Sequence, residues 1–388
     1  MAIPRFLQIH TLHNYPAALL NRDDAGLAKR LPYGDAIRTR ISSQCLKRHW
    51  RVADDAFALS RLDVPMAVRS RGAPRLIKER MMVAGVSEPQ AQIAVEGLRA
   101  AGLLDKAKDL KGEEALATGQ AVLLGYAEIQ YLVQRCAALA GEHTDEKSLK
   151  AAIAAFLKEE KKNIEALRLG SGLESALFGR MVTSDVLASR DAAVYVAHAF
   201  TVHEAQVEND YFTVVDDLLQ EVGEAGSAGI FDTELASGLY YGYLVVDVPQ
   251  LVANLEGVEI KEWANITAEQ RELAGRVVQN LLHLVATVSP GAKRGSTAPF
   301  EWAKFMLVEA GDWQPRSLAG AFHNALPLRQ SALRESAVRR LADEIGRMDA
   351  AYGAPLARRF LSVDDVTVPG AQRLPLHALA EWTQSAVV

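Results

Sequence analysis

The sequence has few of the residues that build a disulfide scaffold or a metal centre. Among its 388 residues are two cysteines, Cys45 and Cys136, which form no CxxC pair. Nine histidines are present, but none shows the HExxH or HxH spacing of metal ligands. His198 and His203 lie five positions apart in a predicted strand and therefore face opposite sides of it. The sequence predicts neither a disulfide framework nor a metal site.

Long apolar runs and common catalytic motifs are also missing. No run reaches the length of a membrane span, and the N-terminus lacks the apolar core of a signal peptide. We therefore expect a cytoplasmic protein with no membrane partner. The absence of GxSxG, Walker A and GxGxxG motifs argues against the common hydrolases, nucleotide triphosphatases and dinucleotide enzymes. No cofactor is predicted.

What the chain does have is an uneven distribution of charge. It is 49% hydrophobic, which is enough for a large core, and its net charge is −5. The first 51 residues nevertheless carry nine basic and three acidic side chains, whereas the remainder carries 34 basic and 45 acidic ones. Such a local excess of positive charge is typical of a polyanion-binding surface, although a solvated basic face is the common alternative.

The basic residues surround a short polar patch, Ser42-Ser43-Gln44. A serine there can accept a backbone N–H and so cap a helix that begins near Gln44. This arrangement suits the binding of a run of phosphates at the start of a helix. The basic residues of the segment are Arg38, Arg40, Lys47, Arg48 and Arg51.

The remaining patterns predict an α+β fold. Alternation predicts strands over 5–12, 193–203 and 237–248, while 13–40 has the composition of a polar loop. Residues 56–178 lack a sustained strand pattern and are predicted to be mostly helical. Thr267-Ala-Glu-Gln270 forms a capping box that opens a helix, followed by a strand at 305–308 and helices at 331–350 and 375–386. A β-α-β-β-α-β core is compatible with this order, but periodicity alone does not select it.

Three further motifs have two readings each. Asp23-Asp24 could bind a metal, but Arg22 beside them favours an ion pair and a structural or turn role. Pro290-Gly-Ala-Lys-Arg-Gly-Ser-Thr297 could wrap a phosphate or simply cap a helix. An apolar residue at Met181 and an aromatic one at Phe212 could fill a core, or Phe212 could stack on a base.

Taken together, six segments that occur in this order resemble one family. They are Asn21-Arg-Asp-Asp24, Ile41-Ser-Ser-Gln-Cys-Leu-Lys-Arg48, Gly179-Arg-Met-Val-Thr-Ser184, Ala197-His-Ala-Phe-Thr-Val-His203, Asp210-Tyr-Phe-Thr-Val-Val-Asp-Asp-Leu218 and Pro290-Gly-Ala-Lys293. They resemble the CasC family, the guide-RNA-binding backbone subunit of the type I-E CRISPR Cascade complex. The resemblance runs from about residue 3 to the C-terminus and is loose over 55–145.

The resemblance implies an RRM-like (ferredoxin-like) palm, a helical finger insertion and a β-hairpin thumb. Its boundaries would be palm at 1–55, fingers at 56–185, palm at 186–201, thumb at 202–235, and completed palm with C-terminal helices at 236–388. The implied partners are a CRISPR guide RNA, a target DNA strand, further copies of the chain, and the large, small, guide 5′-end and guide 3′-end subunits. Copies would stack along the guide and kink every sixth nucleotide out of the stack.

The same resemblance implies roles for individual residues. The guide-binding set is Arg22, Ser42, Gln44, Lys47, Arg48, Arg51, Met181, Phe212, Lys293 and Arg294. Met181 and Phe212 would flank the kinked base, and Lys147 and Lys150 would face DNA. The protein is expected to be non-catalytic and to contain no metal site. The alternative is a metal-dependent RNase that uses Asp23 or Asp24, as in related backbone subunits.

Overall fold

The protein is described by a computed structural model that covers residues 3–100, 116–159, 171–180, 189–215, 227–329, 332–353 and 356–388. Its strands are β1 Phe6–Ala18, β2 Arg30–Tyr33, β3 Ala36–Ile41, β4 Ala67–Ser70, β5 Val122–Gly125, β6 Val194–Val196, β7 Ala199–Thr201, β8 Gln206–Val215, β9 Ser227–Asp247, β10 Phe305–Gly311, β11 Ala357–Ser362 and β12 Ala371–Arg373.

The helices are interspersed among these strands. They are α1 Ser43–Arg51, α2 Ala73–Val83, α3 Glu88–Ala100, α4 Tyr126–Glu142, α5 Glu146–Glu159, α6 Leu173–Phe178, α7 Val248–Glu256, α8 Ala268–Thr287, α9 Arg294–Thr297, α10 Leu333–Tyr352 and α11 Leu376–Ser385. Short 3₁₀ turns occupy Leu59–Leu62, Ile260–Asn265 and Ala319–Phe322. The predicted mixed α+β fold is confirmed.

The chain divides into two compact units. Unit 1 comprises Met1–Ala58, Val196–Val246 and Gly275–Val388, and unit 2 comprises Leu59–Tyr195 and Asp247–Ala274. Unit 1 is built on a large sheet with the strand order β12-β11-β10-β1-β9-β7-β3-β2. The strands pair antiparallel where β10 meets β1 and where β7 meets β9. Strand β1 lies inside this sheet, between β10 and β9.

Strand β9 is long enough to take part in both the large sheet and a hairpin with β8. Its C-terminal part lies in the large sheet, where Tyr240 and Tyr241 are buried, as expected for an aromatic and β-branched run. Its N-terminal part pairs with β8 in an antiparallel hairpin, from Gln206 opposite Ser237 to Val215 opposite Ser227. The assignment of this hairpin as a thumb stays a prediction.

Unit 2 contains helices α2 to α5, which share one apolar core. Ile77, Val95, Ile129 and Ile153 each contribute a fully buried side chain to it. Two short strands, β4 and β5, also pair here. The sequence pattern did not indicate them, because four-residue strands are too short to show a period of two.

The prediction of a polar loop over 13–40 was wrong. Strand β1 continues to Ala18, and β2 and β3 form a hairpin in which Tyr33 pairs with Ala36. Gly34 lies in the two-residue turn between them with φ +63°. A Cβ atom at this glycine would lie 1.6 Å from the carbonyl oxygen of His323, so no larger residue fits. Residues that break strands in a composition-based reading here form the tight turn of a hairpin.

Candidate nucleic-acid interface

Helix α1 begins where the serine cap was predicted. The Ser42 hydroxyl oxygen accepts the backbone N–H of Cys45 at 3.3 Å, and the Ser42 N–H donates to Oδ1 of Asn21 at 2.8 Å. Ser42 is buried, with 7% of its surface exposed. Its side chain therefore caps the start of the helix, while its backbone N–H holds the Asn21 side chain beside it.

The exposed side of α1 is basic. Gln44 and Arg48 are exposed one turn apart, and Lys47 and Arg51 are partly exposed one turn apart. Residues at i and i+4 lie on the same side of a helix. The nine residues of α1 include no carboxylate, so the helix itself does not neutralise these cations. The predicted cluster of Lys47, Arg48 and Arg51 is brought together as one surface.

Arg38 does not belong to this surface. It is fully buried, and its guanidinium donates to the carbonyl oxygens of Thr201 at 3.1 Å and Phe322 at 3.0 Å. A longer bond of 3.3 Å reaches the carbonyl oxygen of Tyr33. The expectation that Arg38 helps to bind phosphates was wrong, because alternation along β3 turns this side chain into the core.

The Asn21–Ala28 segment forms a closed loop. An isolated bridge pairs Arg22 with Ala28, and Oδ1 of Asp23 accepts the N–H groups of Ala25 and Leu27, both at 3.0 Å. Arg22 is exposed and, within the described residues, forms no ion pair with Asp23 or Asp24. The prediction of an ion pair with Arg22 was wrong, whereas Asp23 does stabilise a turn, as predicted.

The loop 290–293 reaches the same region through backbone contacts. The Ala292 N–H donates to the carbonyl oxygen of Leu19 at 2.8 Å. The His49 ring in α1 hydrogen-bonds to the carbonyl oxygen of Cys45 at 2.8 Å and to the backbone of Gly291. Burial lowers the pKa of His49, and the charge of Arg294 adds to that effect. Arg294 therefore lies near α1, and the predicted loop and helix belong to one surface.

Lys293 connects this loop to the β8–β9 hairpin. It is exposed with φ +52°, and its ammonium contacts Oγ1 of Thr233 and lies 5.3 Å from the centre of the Phe212 ring. Phe212 keeps 38% of its surface exposed. A cation over an aromatic face is attracted by the ring quadrupole. The structure thus brings Lys293 and Phe212 together, as neighbours that contact each other.

Sequence reasoning missed Glu234, which holds the hairpin from the other side. Its carboxylate accepts the Ala28 N–H at 2.8 Å and forms an ion pair with Arg30. Glu234 is 7% exposed. No local motif could have indicated it, because its partners lie about two hundred residues earlier in the chain.

Two predicted residues lie in unit 2, and a third is not among the described residues. Lys147 and Lys150 are exposed on α5 in unit 2, and Lys150 forms an ion pair with Glu146 at 2.6 Å. Met181 lies outside the described residues. The contact of Lys147 and Lys150 with DNA, and the place of Met181 beside a kinked base, stay predictions.

The described residues show neither a cluster of metal ligands nor a membrane-spanning helix. Within the ranges that the structure covers, no group of three or more His, Cys, Asp or Glu side chains is placed to hold a metal ion. None of the helices in the part of the chain described is long and apolar enough to cross a membrane.

A family model and two solved structures match nearly the whole chain. A family model described as CT1975-like protein matches residues 7–384. A chain of a solved structure named "CRISPR RNA-guided surveillance complex, pre-nicking" is 26% identical with a TM-score of 0.79, and the match covers 99% of this chain and all of that one. A chain of a "CRISPR RNA-guided surveillance complex" is 23% identical with a TM-score of 0.68, over 98% and 99% of the two chains. The second likeness shows the fold alone. No curated protein matches the chain.

Proposed function

The chain belongs to the CT1975-like protein family, and from this premise we propose that it is the guide-RNA-binding backbone subunit of a CRISPR surveillance complex. The likeness to a chain of such a complex over its full length supports the proposal. The proposal in full is that the protein is a non-catalytic subunit of a type I-E complex. It forms a helical filament along a CRISPR guide RNA and presents the guide in segments for pairing with target DNA in antiviral defence.

The observation that carries the proposal is the basic surface around α1. We call the guide surface the set Arg22, Gln44, Lys47, Arg48, Arg51, Lys293 and Arg294. Its members come from three separate segments of unit 1, and α1 adds no acidic residue to offset them. A backbone subunit must accept any spacer, so its contacts should go to phosphate and sugar, which carry no sequence information. A convergent cationic surface meets this requirement, because it binds the phosphates of any RNA sequence.

The β8–β9 hairpin supplies the second element of the proposal. Tyr211 and Phe212 are exposed near its middle, with 63% and 38% of their surfaces accessible. An aromatic ring can hold an unstacked base without reading its identity. Phe212 is the residue that packs against Lys293, so a base on this ring would lie beside the guide surface. Met181 would flank the same base from the other side.

The proposed partners follow from the same reading. Further copies of the chain would stack along the guide, and the large, small, guide 5′-end and guide 3′-end subunits would bind the assembly. Lys147 and Lys150 would face the target strand. Base pairing with the guide would supply sequence recognition while the protein contacts backbone shape, as in other RNA-guided effectors. We propose a cytoplasmic location.

The proposal is tested by RNA binding of the purified full-length chain. A Lys47→Ala, Arg48→Gln double variant should lose affinity for unrelated RNA sequences by the same factor, because phosphate contacts are common to all of them. Arg75→Gln is the matched control, since Arg75 is an exposed arginine of α2 that pairs with Glu79 at 2.9 Å. An absence of RNA binding by the wild-type chain would refute the proposal.

The non-catalytic part needs its own test. Asp24 is exposed, and Asp23 is engaged in its turn by two backbone N–H groups. The assembled complex should leave a complementary RNA intact in the presence of Mg²⁺. Metal-dependent cuts at regular intervals that disappear in Asp24→Ala would replace the structural role with the RNase alternative.

A further inference from the structure

His198 lies directly beside the beginning of α1, although the sequence gives it no role. It follows β6 and precedes β7, and its ring is exposed. Its Nδ1 atom lies 3.3 Å from the backbone nitrogen of Ser43, the first residue of α1. It also lies 3.2 Å from Nη1 of Arg40. The predicted single strand over 193–203 is interrupted at this histidine, which lies between β6 and β7.

These two neighbours fix the tautomer of the ring. A backbone N–H and a guanidinium N–H can only donate, so Nδ1 must be the acceptor and cannot carry a proton. The proton of the neutral imidazole then lies on Nε2, on the opposite side of the ring. Because the ring is exposed, this N–H is available to a ligand. Burial lowers the pKa of His198, and the charges of Arg40 and Lys29 lower it further, which favours the neutral ring near pH 7.

Arg40 is held in place by the same arrangement. Its Nε donates to the carbonyl oxygen of Arg30 at 3.3 Å while Nη1 donates to His198. A guanidinium has five N–H groups, so donors remain that are not used by these two bonds. Within the described residues, neither Arg40 nor Lys29 forms an ion pair with a carboxylate. Arg40 and Lys29 therefore supply positive charge that no carboxylate of the described residues pairs with, and His198 supplies an oriented neutral donor beside them.

We propose that His198 and Arg40 together bind a phosphate oxygen of the guide RNA, with the neutral imidazole donating through Nε2–H and Arg40 supplying the charge. The inference rests on the proposed function and adds to the guide surface a pair that lies at the N-terminus of α1. The helix N-terminus contributes by locking the imidazole, since the Ser43 N–H is directed at Nδ1.

Substitution of His198 by asparagine distinguishes the roles of the two ring nitrogens. The side-chain oxygen of asparagine can replace the Nδ1 acceptor, but asparagine has no group at the position of Nε2. His198→Asn should therefore keep the thermal stability of the chain and lose about tenfold in affinity for a labelled single-stranded RNA, the factor expected for a hydrogen bond to a charged group. His198→Gln, which can place a donor near the Nε2 position, should recover part of the loss.

The salt dependence of RNA affinity tests whether His198 acts as a neutral donor and Arg40 as the charged partner. A neutral donor releases no counter-ion, so His198→Asn should leave the slope of log affinity against log salt unchanged. Arg40→Gln should reduce that slope by about 0.7, the value for one phosphate contact on a single strand. A long-range ¹H–¹⁵N spectrum of the free protein should show a proton on Nε2 of His198, with the signals assigned by their loss in His198→Asn.

The outcomes that would overturn the inference are distinct from a failure of the proposed function. If the wild-type chain binds RNA and His198→Asn binds it equally well, the imidazole only caps α1. If His198→Asn reduces the salt slope as much as Arg40→Gln does, the ring binds as a cation and the assigned tautomer is wrong. A wild-type chain without RNA affinity would instead refute the proposed function itself.

Discussion

Replacement of Arg38 by methionine should destabilise unit 1 without a loss of RNA affinity per folded molecule. Arg38 is fully buried in β3, and its two shortest hydrogen bonds go to the carbonyl oxygens of Thr201 and Phe322. These acceptors belong to segments about 160 and 280 residues further along the chain. The guanidinium therefore links three distant parts of unit 1, while the basic residues of α1 lie at the surface.

The magnitude follows from the groups left without partners. Each buried acceptor that loses its hydrogen bond costs about 1–3 kcal/mol, so the two shortest bonds together account for about 2–6 kcal/mol. Methionine retains an unbranched apolar stem of similar length, so a large cavity is not created. Removal of the buried charge offsets part of the cost. We expect a net loss of about 3 kcal/mol in the free energy of unfolding.

Urea unfolding followed by tryptophan fluorescence measures this loss. Four of the five tryptophans, Trp50, Trp302, Trp313 and Trp382, lie in unit 1, so the signal reports mainly on that unit. With a slope of about 1–3 kcal/mol per molar urea, the midpoint should fall by about 1 M or more.

Arg48→Gln is the matched control, because Arg48 is an exposed arginine of the same basic segment. It should unfold at the wild-type midpoint and bind RNA more weakly. If Arg38→Met instead unfolds at the wild-type midpoint and loses RNA affinity, the assignment of Arg38 to the core is refuted.

Three further changes have definite expected outcomes. Lys47→Ala should weaken binding of all RNA sequences alike and lower the salt slope by about 0.7, and a loss that depends on the RNA sequence would contradict the phosphate role. Lys293→Met should speed amide hydrogen exchange around Thr233 by about two- to fivefold, since a surface cation–π contact is worth about 0.5–1 kcal/mol, whereas Arg294→Met should not. Burial lowers the pKa of His13 to about 4, below the unfolded value of 6.5, so stability should be complete above pH 6.5 and decline as the pH falls toward 4. The decline should amount to about 1–2 kcal/mol, which is less than the full pKa shift would give, because His13 is partly exposed. His13→Gln should flatten the decline. An unchanged pH profile of urea unfolding in this variant would show that His13 is not responsible.

Local patterns predicted those features that depend on neighbours in the chain. The serine cap of α1 and the Thr267–Gln270 capping box are both present, with the Gln270 N–H 3.4 Å from Oγ1 of Thr267 and the Thr267 N–H 3.1 Å from the Gln270 side chain. Both are contacts over three residues, so composition and spacing suffice to indicate them. The cluster of basic residues on α1 is likewise a consequence of helical periodicity.

The sequence by itself determined the mixed α+β class, the start of α1 and the family resemblance carried by its motifs. Only the tertiary structure decided which cations of the basic segment lie at the surface. It buried Arg38 among backbone carbonyl groups, because strand alternation and the hairpin at Gly34 turn this side chain inward. It also placed Lys293 on Phe212 and His198 against α1, in contacts between segments about 80 and 155 residues apart. Such contacts depend on the order of strands in the sheet, which no local period of the sequence encodes.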